Sequence, residues 1–178
     1  YDGDGTVDDL FKLQDQVTGK IVSALAVELS DSEKKGMADK GTQNMAAYDS
    51  FLKGVSHVRK FTPKDYVKAI EYFEKAVQLD PDYSDAYANL AHIYMSALSI
   101  GKKFWNEVGK DFFTARVLAR YYVEKSMKRP TSKSYQVMAG LELYKRNFDK
   151  AVEYARQAVS VSPGDADALY QLGGIMVY

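Results

Sequence analysis

Residues 135–163 read YQVMAGLELYKRNFDKAVEYARQAVSVSP, and the spacing inside this stretch decides the fold. Met138 and Ala139 come first, then Phe148, Ala151, Ala155 and Ala158, and Pro163 closes the run, so small and bulky residues fall at helical intervals on both sides of a turn. The second half of the pattern recurs at Ala69, Phe73, Ala76 and Pro81, and the first half at Tyr87, Leu90, Ala91 and Tyr94. A recurrence of about 34 residues marks a unit of two antiparallel helices that cannot bury its apolar faces alone and must stack on its neighbours. Small residues belong where such helices cross, which assigns Ala69, Ala76, Ala151 and Ala158 to the crossings. Phe73, Tyr87, Tyr94 and Phe148 are expected to fill the spaces between helices, which accounts for much of a content of 14 tyrosines and 8 phenylalanines without a ligand.

These positions resemble the tetratricopeptide repeat. The resemblance implies an all-α, right-handed solenoid of antiparallel helix pairs over residues 43–178, with about three units and the first helix of a fourth. It also implies a scaffold for protein contacts. In unit one, Tyr48, Phe51, Leu52 and Val55 open the first helix, and Thr62 as cap with Pro63 at the first helical position starts the second. Tyr48 to Pro81 is 33 residues where the family pattern has about 28, so the turn at 61–63 is expected to hold the surplus. Unit two departs further, because its surplus near Gly101, Trp105 and Gly109 implies long helices or a short extra helix within 97–111. Unit four has Leu169, Leu172 and Gly173 in place, and the chain reaches Tyr178 without a second helix, so an excised fragment is expected. A homo-oligomer covering the apolar face of that last helix is a further expectation.

Upstream, Leu10, Leu13, Val17, Ile21 and Leu25 recur every three or four residues and predict a helix over 7–29; Ser30 and Glu33 open a shorter one that Gly41 ends. Residues 1–42 are thus read as an N-terminal helical segment before the repeats. Tyr1 to Asp4, Asp9 to Val17, Ala47-Tyr48 and Phe51 to Gly54 resemble the junction between a TolB-like middle domain and C-terminal repeats in bacterial multidomain proteins. Many of those are adenylate or guanylate cyclase-like, and others carry a winged-helix domain or a kinase upstream. The resemblance implies the regulatory or assembly region of a cyclase-like protein in the cytoplasm, with the repeat region of a winged-helix regulator or kinase as the alternative.

Composition narrows the chemistry. No cysteine is present, which removes disulfides, thiolate metal sites and a cysteine nucleophile. The longest uncharged run, 86–101, has 16 residues and carries Asn89, His92 and serines, so no membrane span is expected. Net charge is zero, yet it divides into −4 over 1–42, −1 over 43–101, +6 over 102–133 and −1 over 134–178. The basic segment is read as a solvated helix face, the alternatives being a docking face for an acidic partner or an anion or nucleic-acid site.

Catalytic and metal motifs are absent from the sequence. His57 and His92 have no carboxylate or histidine at ligand spacing, and there is no H-E-x-x-H, P-loop or dinucleotide glycine pattern. Asp2-Gly3-Asp4-Gly5-Thr6 is similar to the middle of a calcium loop, but the residue at the closing position is Phe11 instead of glutamate. No cofactor and no enzymatic activity are expected of these residues. In the repeat family, the first helix of each unit lines an inner groove that meets a peptide or partner helix. The groove candidates are Asp49 and Lys53 in unit one, Asp85, Asn89 and His92 in unit two, and Lys133 and Gln136 in unit three. They imply a polar or acidic peptide as partner. Asp49, Lys53 and Val137 stand where a carboxylate clamp needs lysine, asparagine and arginine, which argues against a C-terminal carboxylate as the ligand.

Overall fold

Seven helices follow one another among the described residues of the computed structural model, and five of them begin where a side chain satisfies free amides of the first turn. The description covers residues 41–100 and 107–177, with the backbone alone for 97–100. The helices expected over 7–29 and 30–41, the calcium-loop-like run and Trp105 lie outside the described residues. Residues 41–178 form one structural unit. Its elements are α1 (Met45–Val58), α2 (Pro63–Leu79), α3 (Ser84–Ile100), α4 (Phe112–Ser126), α5 (Ser132–Tyr144), α6 (Phe148–Val161) and α7 (Ala166–Ile175). All are α-helical, as the repeat requires.

The caps follow the sequence closely. Asn44 accepts from the amides of Ala46 and Ala47 and donates through Nδ2 to the Leu79 carbonyl at 2.8 Å, so one residue starts α1 and ties it to the end of α2. Thr62 caps α2, and Pro63 takes the first helical position, where its missing amide costs nothing. Thr131 and Ser134 form a reciprocal capping box at α5. Between α1 and α2, Asp65 accepts from the Thr62 hydroxyl at 2.6 Å and faces His57 Nδ1 at 2.8 Å and Lys60 Nζ at 3.4 Å. Those partners, Thr62 and His57 foremost, hold the Asp65 carboxyl down at about 2. Phe61 and Arg146 turn the chain with φ of 53° and 60°, a left-handed conformation that is uncommon for a residue with a side chain.

The surplus residues of unit one lie elsewhere than expected. Its turn, 59–62, is barely longer than the turn 145–147 of unit three. Most of the difference sits in α2, which has 17 residues against 14 in α6 and starts earlier relative to its repeat alanine. Lengthening a helix keeps every added amide hydrogen-bonded, whereas a longer loop would not. In unit two, α3 runs to Ile100, Glu107 and Val108 are helical, and Gly109 breaks the chain with φ of 66° before α4.

Helices pack in consecutive pairs, α1 on α2, α3 on α4 and α5 on α6, while α7 joins the stack against both α6 and α5. First helices also meet along the stack, α3 with α5 and α5 with α7. Ala69, Ala76, Ala151 and Ala158 are all fully buried, as assigned. Gly54 permits a close crossing: a Cβ there would lie 2.5 Å from the Phe73 ring, which is itself fully buried. Tyr94 is buried, stacks on Tyr122 at 5.8 Å, and is pushed up to about 12 by that burial. Phe148 differs from the expectation. It is 46% exposed because it is the first residue of α6 and stands at the end of the pair instead of between the helices.

Candidate functional site

The first helices of the units give one wall of a groove of about 1000 Å³ that runs from α1 to α7. Side chains three and four apart on one helix share a face, so the lining can be followed turn by turn. Asn89, His92 and Met95 line it from α3, and Lys133, Gln136, Gly140 and Leu143 from α5. Val55 and Val58 at the end of α1, Arg59 and Phe61 in the following turn, Tyr66 on α2, and Asp167, Tyr170 and Gln171 on α7 add to it, with Ser96 and Tyr144 further along α3 and α5. Gly140 leaves the space that Met95 occupies, since a Cβ there would run into the sulfur.

Four of the seven sequence candidates, Asn89, His92, Lys133 and Gln136, line this groove. Asp49 and Lys53 instead form an exposed ion pair with each other at 2.7 Å along α1, outside the lining. Asp85 turns towards the start of α5; burial raises its carboxyl, and a hydrogen bond with the Thr131 side chain partly offsets that. The structure thus gathers four of these candidates from α3 and α5 along one groove and leaves Asp49, Lys53 and Asp85 outside it.

Several polar side chains of the groove are already engaged, while Arg59 stands exposed at its edge. Lys133 Nζ donates to Gln136 Oε1 at 3.0 Å and pairs with Asp167 at 3.3 Å. Gln136 Nε2 donates to Asp165 Oδ2 at 2.7 Å and Ser132 Oγ at 3.1 Å. Asn89 Nδ2 donates back to the Asp85 carbonyl at 2.8 Å. Gln171 Nε2 donates to the Gln136 carbonyl at 2.9 Å, while its Oε1 is buried without a partner. Burial, and then the nearby Lys133 charge, lower His92 to about 4, partly offset by Asp167, so His92 is neutral at pH 7.

What remains for a ligand is largely apolar. Val55, Val58, Phe61, Met95, Leu143 and Tyr170 are lining residues that sequence reasoning overlooked, and Phe61 and Tyr170 are 77% and 85% exposed. A signal for part of the set was available: Leu143 continues the row from Gln136 and Gly140, and Met95 the row from Asn89 and His92. Phe61 and Tyr170 had no such signal, because one lies in a turn and the other in the fourth unit. Among the described residues no cluster of histidine and carboxylates could hold a metal ion, and no helix is long and apolar enough to cross a membrane.

Residues 61–97 and 132–165 each match a family described as tetratricopeptide repeat. The chain is similar to a Rhizobium meliloti (strain 1021) protein named putative adenylate cyclase 3, with 27% identity over 149 residues. That alignment covers 83% of this chain and 24% of the relative, so the chain spans about a quarter of the relative's length. Among solved structures it resembles the Arabidopsis OM64 TPR domain, with a TM-score of 0.54, 15% identity, and coverage of 77% of this chain and 99% of that one. The structural likeness concerns the fold.

Proposed function

Because the chain carries tetratricopeptide repeats, an all-α scaffold for protein–protein contacts, we propose that its groove docks a partner peptide through apolar and aromatic side chains. The observation that carries this reading is the internal pairing of Lys133, Gln136 and Asn89 beside the exposed rings of Phe61 and Tyr170. Donors that already have partners gain little from a ligand, whereas covering apolar surface contributes about 25 cal/mol per Å². The polar or acidic peptide implied by the seven sequence candidates therefore becomes a segment whose bulky side chains enter the groove.

An array of peptides of varied composition tests this. Binding should favour sequences with aliphatic or aromatic residues and be lost in a Val58→Asp, Tyr170→Asp double variant. It should persist in a Lys53→Ala, Asn89→Ala, Lys133→Ala triple variant. Equal binding by the wild type and the double variant would remove the reading.

The wider setting we propose is the regulatory or assembly region of a bacterial cyclase-like multidomain protein in the cytoplasm. Its support is the coverage of 83% of this chain by one quarter of a protein named an adenylate cyclase. The repeat region itself acts as scaffold, with any catalysis in another domain. Deleting residues 43–178 from the full-length protein should change its assembly or the control of its activity, and no change in either would contradict this setting.

A further inference from the structure

The outer surface of α4 differs from every expectation of a solvated helix. Phe113, Val117 and Tyr121 are 76%, 68% and 50% exposed, and their spacing of four places them in a single row along one side of the helix. Isolated exposed apolar residues are ordinary, but a contiguous row is a feature of interaction surfaces. Arg116 and Arg120 run beside the row, both exposed, and Lys125 stands 5.5 Å from the Tyr121 ring centroid. Arg120 pairs with Glu124 at 2.9 Å, whereas Arg116 has no ion pair among the described residues.

The other second helices show what the repeat does without such a role. Between its ends α2 exposes Lys68, Glu71, Lys75 and Gln78, and α6 exposes Lys150, Glu153, Arg156 and Ser160. Both are hydrophilic. The opposite side of α4 nevertheless carries the seam of the family, with Ala115, Ala119 and Val123 fully buried. The apolar row is therefore an addition to the outside of α4, separate from the buried seam, with Tyr121 also touching a ring of the fold, Tyr122, at 5.2 Å.

We propose that this face of α4 docks an acidic, amphipathic helix of a partner protein. A row at four-residue spacing is a ridge of the kind that seats in the groove of a second helix, and carboxylates flanking that helix's apolar stripe would meet Arg116 and Lys125. Complementary charge of this sort sets register and speeds association. An anionic lipid surface fits less well. Asp111 and Glu124 stand at the two ends of the row, and hydrogen bonds from Thr114 keep Asp111 ionised. A flat sheet of negative charge would be forced against both, while a helix can place its carboxylates to avoid them.

The test uses the whole 178-residue chain and a fluorescent synthetic helix with leucines in one stripe and glutamates on either side. Anisotropy should report saturable binding that weakens with added salt. Binding should fall roughly tenfold or more in Val117→Glu and in the Arg116→Glu, Arg120→Glu double variant, and stay unchanged in Lys150→Glu on the outside of α6. Circular dichroism confirms the fold of each variant, and Phe113→Ser repeats the apolar test with a change that adds no charge. No saturable binding, or binding that ignores the α4 substitutions, overturns the proposal. So does binding abolished by Tyr170→Asp, which would assign the helix to the groove. Phosphatidylserine vesicles that bind more tightly than the helix, with the same dependence on α4, would make the face a lipid surface. Self-association abolished by Val117→Glu would make it a contact between copies, and each of these two results also overturns the proposal.

Discussion

The helices α4 and α6 occupy the same place in their repeats and bury the same kind of seam, yet they present opposite surfaces to the outside. Inward, Ala115, Ala119 and Val123 correspond in kind to Ala151, Ala155 and Ala158, and all six are fully buried. Outward, α6 is hydrophilic and α4 carries Phe113, Val117 and Tyr121. Stacking restricts the buried side, because a backbone crossing tolerates little change in volume. It leaves the outer side free, and a repeat protein can therefore acquire a distinct surface on one unit without disturbing the stack.

The largest effects should come from the seam. Ala119→Leu in α4 and Ala158→Leu in α6 should each lower stability by about 3 kcal/mol through overpacking, read as a shift in the denaturant midpoint. A midpoint that moves for one and not for the other would break the equivalence of the two seams.

A second contrast separates the groove from the outer faces. His92 titrates near 6.5 when unfolded and about 4 when folded. Between those values the unfolded chain binds more protons, so acidification removes stability, starting below 6.5 and ending near 4. Allowing for its partial exposure, the loss should be about 2 kcal/mol. Measured as the difference between wild type and His92→Gln over that range, a flat result would mean that His92 is hydrated like a surface residue.

Smaller still is the cap. Thr131→Ala removes the reciprocal bonds with Ser134 and should cost about 1 kcal/mol in chemical denaturation. Smallest is the outer face itself, where Val117→Ser should change stability by less than about 0.5 kcal/mol. A loss of the size seen at Ala119 would mean that Val117 packs against the body of the fold, and the contrast between α4 and α6 would disappear.

Much of this architecture could be read from residue spacing. The crossing alanines, the Thr62–Pro63 start of α2 and the sequence of helix pairs follow from local pattern, because each depends on residues within one turn of each other. Phe148 did not follow, since helical phase says which side a ring is on and not whether a helix end leaves it uncovered. The groove was legible on α3 and α5 and not on α1. Moreover, the pairing of Lys133 with Asp167 and of Gln136 with Asp165 joins residues about thirty positions apart, where local spacing carries no information. The change from a polar to an apolar groove rests on those distant pairs.

Asp165 links the last helix to the rest in a way that bears on how the molecule opens. Its Oδ1 accepts the amides of Asp167 and Ala168 at the start of α7, while its Oδ2 accepts from Ser132 and Gln136 of α5. Burial would raise this carboxyl, but the bonds from Ser132 and Ala168 outweigh it and hold it below the usual carboxylate range. The first turn of a helix ordinarily frays readily, since its amides have no carbonyl of the same helix to bond. Here the first turn of α7 cannot unwind without also breaking bonds to α5, so in amide hydrogen exchange Ala168 should report the opening of the third repeat, and Asp165→Ala should release it to exchange on its own.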